Sequence, residues 1–190
     1  MGLRDLDLII VDGACGTNLQ TMAIPAAAWR GCEGCNELLN VSAPEVVQAL
    51  HRGFVDAGAQ VLETNTFGAN RIVLAEYGLQ DQVAAINAAA VANARAAAAG
   101  RPGVYVAGSV GPGTKLPSLG HIGVAELAEA IAGQVEALVA AGVDALILET
   151  CQDMLQVKTA VRAAFDVLET HGVDVPVMVS VTVEATGSML

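Results

Sequence analysis

The stretch Leu138-Val-Ala-Ala-Gly-Val-Asp-Ala-Leu-Ile-Leu-Glu-Thr150 decides how the chain is read. An amphipathic run closes at Gly142. An apolar strand candidate, residues 145–148, follows at once and ends in an acid, Glu149, and then Thr150. A helix feeding a buried strand with a carboxylate at its carboxyl end is the α/β pattern that puts chemistry on the rim of a parallel sheet. The pattern occurs earlier too, in Phe54-Val-Asp-Ala-Gly-Ala-Gln-Val-Leu-Glu-Thr-Asn65. Aligning the two on the helix-ending Gly58 and Gly142 sets Asn65 opposite Glu149. Both are then expected at matching depth, on the floor of one site.

Working outward, apolar runs mark three further strands: residues 6–11, with Leu8, Ile9, Ile10 and Val11 as a buried run, 104–107 and 175–183. The earlier copy of the pattern supplies another, residues 60–64. Helical periodicity fills the gaps. Ser42-Ala-Pro-Glu45 reads as a capping box, opening a helix with Val46, Leu50, Phe54 and Ala57 on its inner face. A short helix covers residues 71–77. Asp81 is expected to cap a helix running to Gly100, with Val83, Ile86, Ala90 and Ala94 inward. Val124, Leu127, Ile131, Val135 and Leu138 share one face of the next helix. Val157, Val161, Phe165 and Leu168 share one face of a helix over 153–171.

Five strands alternating with helices mean a parallel sheet. Polar residues end nearly every strand, and no G-x-G-x-x-G follows the first. Both points favour a (β/α)8 barrel over a doubly wound sheet. A barrel needs eight units and typically ~250 residues. Residues 1–190 are therefore expected to form the N-terminal part of one barrel domain, with about five of eight units and two open sheet edges.

Composition narrows the partners. The chain is 54% hydrophobic and 3% aromatic, so Ala, Val, Leu and Ile must build the core. A formal net charge of −11 leaves no basic patch for nucleic acid or an anionic membrane. No apolar run approaches the ~20 residues of a membrane span. The first residues lack a signal-peptide pattern, and Leu6 lies where a myristoylation motif needs Ser or Thr. A cytoplasmic setting is expected, with Cys15, Cys32, Cys35 and Cys151 as free thiols.

Several groups can carry chemistry. Asp12-Gly13 closes the first strand candidate. An acid there takes an ammonium, while free N–H groups of the Gly-rich turn take a carboxylate. The alternative is that Asp12 only caps the turn and the glycines supply positive φ. Glu149, a second acid on the same rim, tips the balance to a cation or ammonium clamp. Its own alternative is an ion pair with Arg71 or Lys115. Thr64, Asn65 and Ser109 suit hydrogen bonds to a small polar ligand, or to nearby backbone. Cys32-Glu-Gly-Cys35 is a lone C-x-x-C without a second pair, so it points weakly to zinc. His51, His121 and His171 are scattered.

Asp12-Gly-Ala-Cys-Gly-Thr17, Cys35-Asn-Glu-Leu-Leu-Asn40, Glu63-Thr-Asn-Thr-Phe-Gly-Ala-Asn70, Gly108-Ser-Val-Gly-Pro112 and Leu148-Glu-Thr150 occur in this order. Together they resemble the homocysteine S-methyltransferase family over essentially the whole chain. The resemblance implies a (β/α)8 barrel that passes a methyl group to the sulfur of homocysteine, giving methionine. It implies zinc, which holds the thiol as thiolate. It assigns Asp12 and Glu149 to the amino-acid end of homocysteine and the turn from Gly13 to Thr17 to its carboxylate. It lines the same pocket with Thr64, Asn65 and Ser109. The family's zinc is held by three cysteines, one ending the sixth strand and an adjacent pair near the end of the barrel. The four cysteines here match none of them. No catalytic or metal residue is therefore assigned within the chain, and cobalamin or a folate methyl donor would belong to a longer parent. Two functions follow as expectations. One is part of a homocysteine methyltransferase, completed by a C-terminal barrel half. The other is an inactive fragment that binds amino acids weakly or self-associates.

Overall fold

The computed structural model describes residues 2–189. Its parallel sheet has four strands in sequential order: β1 Val61–Glu63, β2 Tyr105–Val110, β3 Ala145–Cys151 and β4 Val177–Val181. Val61 pairs with Tyr105, Ala107 with Ala145 and Leu146 with Val177. The order never reverses, so no switch point exists between the strands. This is the wall of an α/β barrel, four strands wide. The helices are α1 Cys15–Thr21, α2 Leu39–Ser42, α3 Pro44–Asp56, α4 Arg71–Ala75, α5 Val83–Ala98, α6 Val124–Ala140 and α7 Met154–His171.

Side chains alternate across the strands, as the period of two requires. Leu62, Val106, Leu146 and Leu148 point outward to α5, α6 and α7, where they join Val91, Ile131, Val135 and Leu138 in the main core. Burying each such side chain contributes roughly 1.5–3 kcal/mol. Val61, Ala107 and Ala145 point the other way and form a small inner cluster with Leu3. A third cluster lies under α1, where Leu19, Leu39, Val47 and Leu50 pack with the partly buried Cys15, Trp29 and Phe54. The helix-ending Gly58 and Gly142 both take left-handed φ, +103° and +85°, as the alignment of the two patterns requires.

Several expectations are corrected. Residues 6–11 form no strand beyond an isolated bridge, Val11 to Val61. Gln60 N–H and Val61 N–H both donate to the Ile10 carbonyl, at 2.7 and 3.1 Å. Among the described residues the segment has no neighbour on its other side, and Leu8 is 72% exposed. The fifth expected strand shrinks to β4, with Val179, Val181 and Val183 exposed. The third and fourth lengthen instead, because both are paired on two sides. Ser42 makes no capping box: its hydroxyl turns back to the Leu38 carbonyl at 3.0 Å, and Ala43 stands at the N-cap. The inner face of α3 is Val47, Leu50, His51 and Val55, and Ala57 is exposed. Asp81 sits in a 3-10 turn, and α5 begins after Gln82. On α7 the inward residues are Ala160, Ala163, Ala164 and Leu168, while Phe165 is exposed. The small alanines let α7 lie close to its neighbours, a fit that a Phe would block.

Candidate functional site

Glu63, Ser109 and Glu149 lie in phase with the inward Val61, Ala107 and Ala145. Three polar groups therefore gather inside the wall, at the carboxyl ends of three adjacent strands. They line a cleft of about 270 Å³. Its other walls are Cys15, Gly16 and Thr17 at the start of α1, Glu37, and Thr64 to Phe67 from the loop after β1.

Asp12 stands beside the cleft, and both of its oxygens accept from the Glu63 N–H at 3.1 Å. Its own N–H donates to Val61. Asp12 thus clips the isolated bridge onto β1. Burial pushes its pKa up to about 8, and the charges of Glu63 and Glu149 add to the rise. Glu63 is pushed up to about 7, again by burial first and Glu149 second. The Ser109 hydroxyl donates to Glu149 Oε1 at 2.5 Å. The ion pair expected as the alternative for Glu149 does not form: Arg71 lies 3.9 Å from Glu129 instead. Thr150, next to Glu149, is β-branched yet holds φ at +57°. Such strain beside a cleft is stored where the surrounding structure over-determines it.

The remaining expected residues divide. Thr17 lines the cleft from the first turn of α1, while Gly13 lies outside it, against the Phe54 ring. Neither Gly13 nor Gly16 has a positive φ, so the turn needs no glycine conformation. Thr64 lies at the cleft, but its hydroxyl is engaged by the Thr66 hydroxyl at 2.6 Å and the Ser109 N–H at 3.0 Å. Asn65 lines the cleft and sends its amide to the Asn36 carbonyl at 2.7 Å. Asn65 does not stand opposite Glu149. The register Glu63 to Ala107 to Ala145 carries forward two residues to Ile147. The level on which β1 and β3 meet the cleft comes from strand stagger, which aligning two glycines cannot supply.

Buried amides pin the rim from below. Gln134 of α6 donates to the carbonyls of Thr66 and Ser109, at 2.7 and 3.2 Å. Asn40 donates to Asn65, and Gln156 to Pro112. Glu37, buried, accepts the Gly68 N–H at 2.7 Å. Gly111 donates to the Phe67 carbonyl, and a Cβ on Gly111 would lie 2.5 Å from that oxygen. Glycine there is what lets the two rim loops touch. Glu63, Glu37 and Phe67 carry no site signal of their own kind among the strand-ending polar residues of the sequence. The signal for Glu63 was its even spacing from Val61.

A family model for homocysteine S-methyltransferase matches residues 9–190. The methionine synthase of Mycobacterium tuberculosis (strain ATCC 25618 / H37Rv) is 42% identical over 200 residues, which cover 99% of this chain and 17% of that protein. The methionine synthase of Mycobacterium leprae (strain TN) is 41% identical over 187 residues, covering 96% and 16%. The chain therefore spans about one sixth of these curated relatives. Among solved structures, the metallated form of the homocysteine methyltransferase MmuM from Escherichia coli superposes with a TM-score of 0.74 at 26% identity, over 98% of this chain and 67% of that one. Its apo form gives 0.68 at 26% identity, over 99% and 65%.

The zinc implied by the family needs a group of protein ligands close together. Among the described residues, no three of His, Cys, Asp and Glu are grouped to hold a metal ion. Burial and the surrounding acids push the Cys15 thiol up to about 12. Burial and Glu149 push Cys151 up to about 11. Cys35 is buried against Glu37, and Cys32 points at the Tyr77 carbonyl. These residues do not fit a zinc site. Barrel wall, strand-end cleft and family match nevertheless agree on descent: the chain belongs to the homocysteine S-methyltransferase family.

Proposed function

We propose that residues 1–190 form the N-terminal part of a homocysteine-binding barrel domain, and that the cleft holds the amino-acid end of homocysteine for methyl transfer to its sulfur. The observation that carries this reading is the convergence of Asp12, Glu63 and Glu149 on one cleft whose lining includes no basic residue. Burial raises the Asp12 and Glu63 carboxyls with no cation beside them, so the site is short of positive charge, and an α-ammonium supplies it. Thr17 and the first turn of α1, whose amides have no partner within the helix, suit the ligand's carboxylate. Thr64, Asn65 and Gly13 support the walls rather than reach the ligand. Metal ligands, cobalamin and any folate donor are assigned to a longer protein, in keeping with the one-sixth coverage of the methionine synthases. The same coverage favours a further barrel half as the partner. Among the described residues no helix is long and apolar enough to cross a membrane. The four free cysteines suit the cytoplasm.

The test is calorimetric titration of homocysteine into the chain and its Glu149→Gln variant. Loss of the charge on an acceptor that Ser109 holds in place should weaken binding by about 1.5–3 kcal/mol. Equal affinity of the two proteins would refute the reading. A second function, self-association through open margins, draws on the exposed Leu8, Val179 and Val181. Val179→Lys should raise the monomer fraction in light scattering. A wild-type chain that is already monodisperse would remove this alternative.

A further inference from the structure

Three carboxyl groups meet at the cleft, and they are not equivalent. Both oxygens of Asp12 are turned to the Glu63 N–H, so Asp12 closes the sheet margin. Glu149 Oε1 is taken by the Ser109 hydroxyl, and Oε2 has only the Thr150 hydroxyl at 3.5 Å. The Glu63 carboxyl has no hydrogen-bond partner among the described residues, and it lines the cleft. We propose that Glu63 is a second direct acceptor for the ligand's ammonium group, beside Glu149, and that this group displaces a proton from the Glu63 carboxyl on binding. The proposal rests on the amino-acid reading of the cleft.

The neighbours of Glu63 leave few other outcomes. Asp12 faces it from the bridge segment, Glu149 from β3 and Cys15 from α1, and Glu37 shares the cleft lining from the turn before α2. All four are acids or neutral thiols. Three carboxylates could not stay ionised together here without a cation. Burial and Glu149 raise Glu63 to about 7, so near neutrality it carries a proton for much of the time. The exchange balances simply. The amino acid enters as R–NH3+, Glu63–COOH becomes Glu63–COO−, and the proton goes to bulk buffer. The cleft gains one ligand cation and loses one proton. The arrangement selects for a cationic amine, because a deaminated analogue has nothing to exchange.

The test is calorimetry with L-methionine, whose sulfur carries no proton, on the full chain. Binding is measured at pH 6.5 in two buffers of low and high ionisation enthalpy. The difference in heats counts protons released. Wild type should release most of one proton per ligand. Its affinity should fall about tenfold per pH unit below pH 6 and level off above pH 8. Glu63→Gln should release almost none, lose the pH dependence and bind about tenfold more weakly at pH 8. Binding by wild type without proton release overturns the role of Glu63 and leaves the amino-acid reading standing. The same holds if release persists in Glu63→Gln but disappears in Asp12→Asn, which would make Asp12 the acceptor. No binding by wild type at any pH overturns both. The wild-type proton count needs no variant, so a Glu63→Gln chain that fails to fold still leaves the question answered.

Discussion

Asp153 and the acids of the cleft are both carboxylates at the rim of one sheet, in opposite circumstances. Asp153 is fully buried at the N-cap of α7. It accepts from the Ser118 N–H and hydroxyl, at 2.8 and 2.7 Å, and from the N–H groups of Leu155 and Gln156. Burial alone would push its pKa up, but the Ser118 hydroxyl and the three amides outweigh it and hold it below the usual range. Asp12 has one amide for two oxygens, and Glu63 has none. The lesson concerns donors rather than depth. A buried acid supplied with donors is part of the scaffold, and one left short of them is waiting for a ligand.

The largest effect expected from this contrast is at Asp153. Asp153→Ala removes an N-cap and the tie to the loop that carries Ser118. It should lower the unfolding free energy by about 3 kcal/mol in urea titration. A loss below about 1 kcal/mol would erase the distinction between the two kinds of acid.

The pH profile probes the other side. Asp12 and Glu63 bind protons more tightly folded than unfolded, with folded values near 8 and 7. Between about pH 4 and pH 8 the native state therefore holds more protons, and these groups make stability fall as pH rises. His51 acts in the opposite sense. It is buried, with no partner for either ring nitrogen among the described residues. Burial lowers its pKa to about 4, so its contribution is lost as pH falls from about 6.5 toward 4. The acids should dominate above pH 6.5. Thermal melts from pH 6.5 to 8 should show a decline of about 1–2 kcal/mol, discounted for the partial exposure of Glu63. Glu63→Gln should flatten part of that decline. A profile that rises with pH would mean the cleft acids are better solvated than their burial indicates.

The smallest effect is at Thr150. A β-branched residue in the left-handed region costs about 1 kcal/mol that glycine does not. Thr150→Gly should raise stability by about that amount and loosen Glu149 against Ser109. A measured loss of stability would mean the 2.8 Å bond from the Thr150 N–H to the Ser180 hydroxyl matters more than the strain.

How legible all this was in sequence depended on what each signal measures. Apolar runs located β1 to β4, because burial on both faces needs such runs wherever they sit. The run over residues 6–11 looked the same, yet it forms a single bridge, because pairing is a property of neighbours and not of a segment. Helical spacing located α7 but placed Phe165 inside. A period of 3.6 gives a stripe without saying which of two adjacent stripes touches the sheet. Asp12, Ser109 and Glu149 were legible as polar residues ending strand candidates. Glu63 was not, because strand β1 was expected to run one residue further, to Thr64, which hid the acid as an interior position. Gln134 lies on the core face of α6, where only the structure shows that it holds two rim loops together.

Trp29 is the chain's one tryptophan, and it packs in the cluster that holds α1 through Cys15 and Leu19. Cys15, Gly16 and Thr17 of that helix are also a wall of the cleft. With three Phe and two Tyr besides, the near-ultraviolet signal of the protein is almost the signal of one indole. A chromophore seated one helix away from the ligand reports occupancy as a change in emission. The sequence has in effect installed its own optical gauge, readable by fluorimetry without a label or a coupled assay.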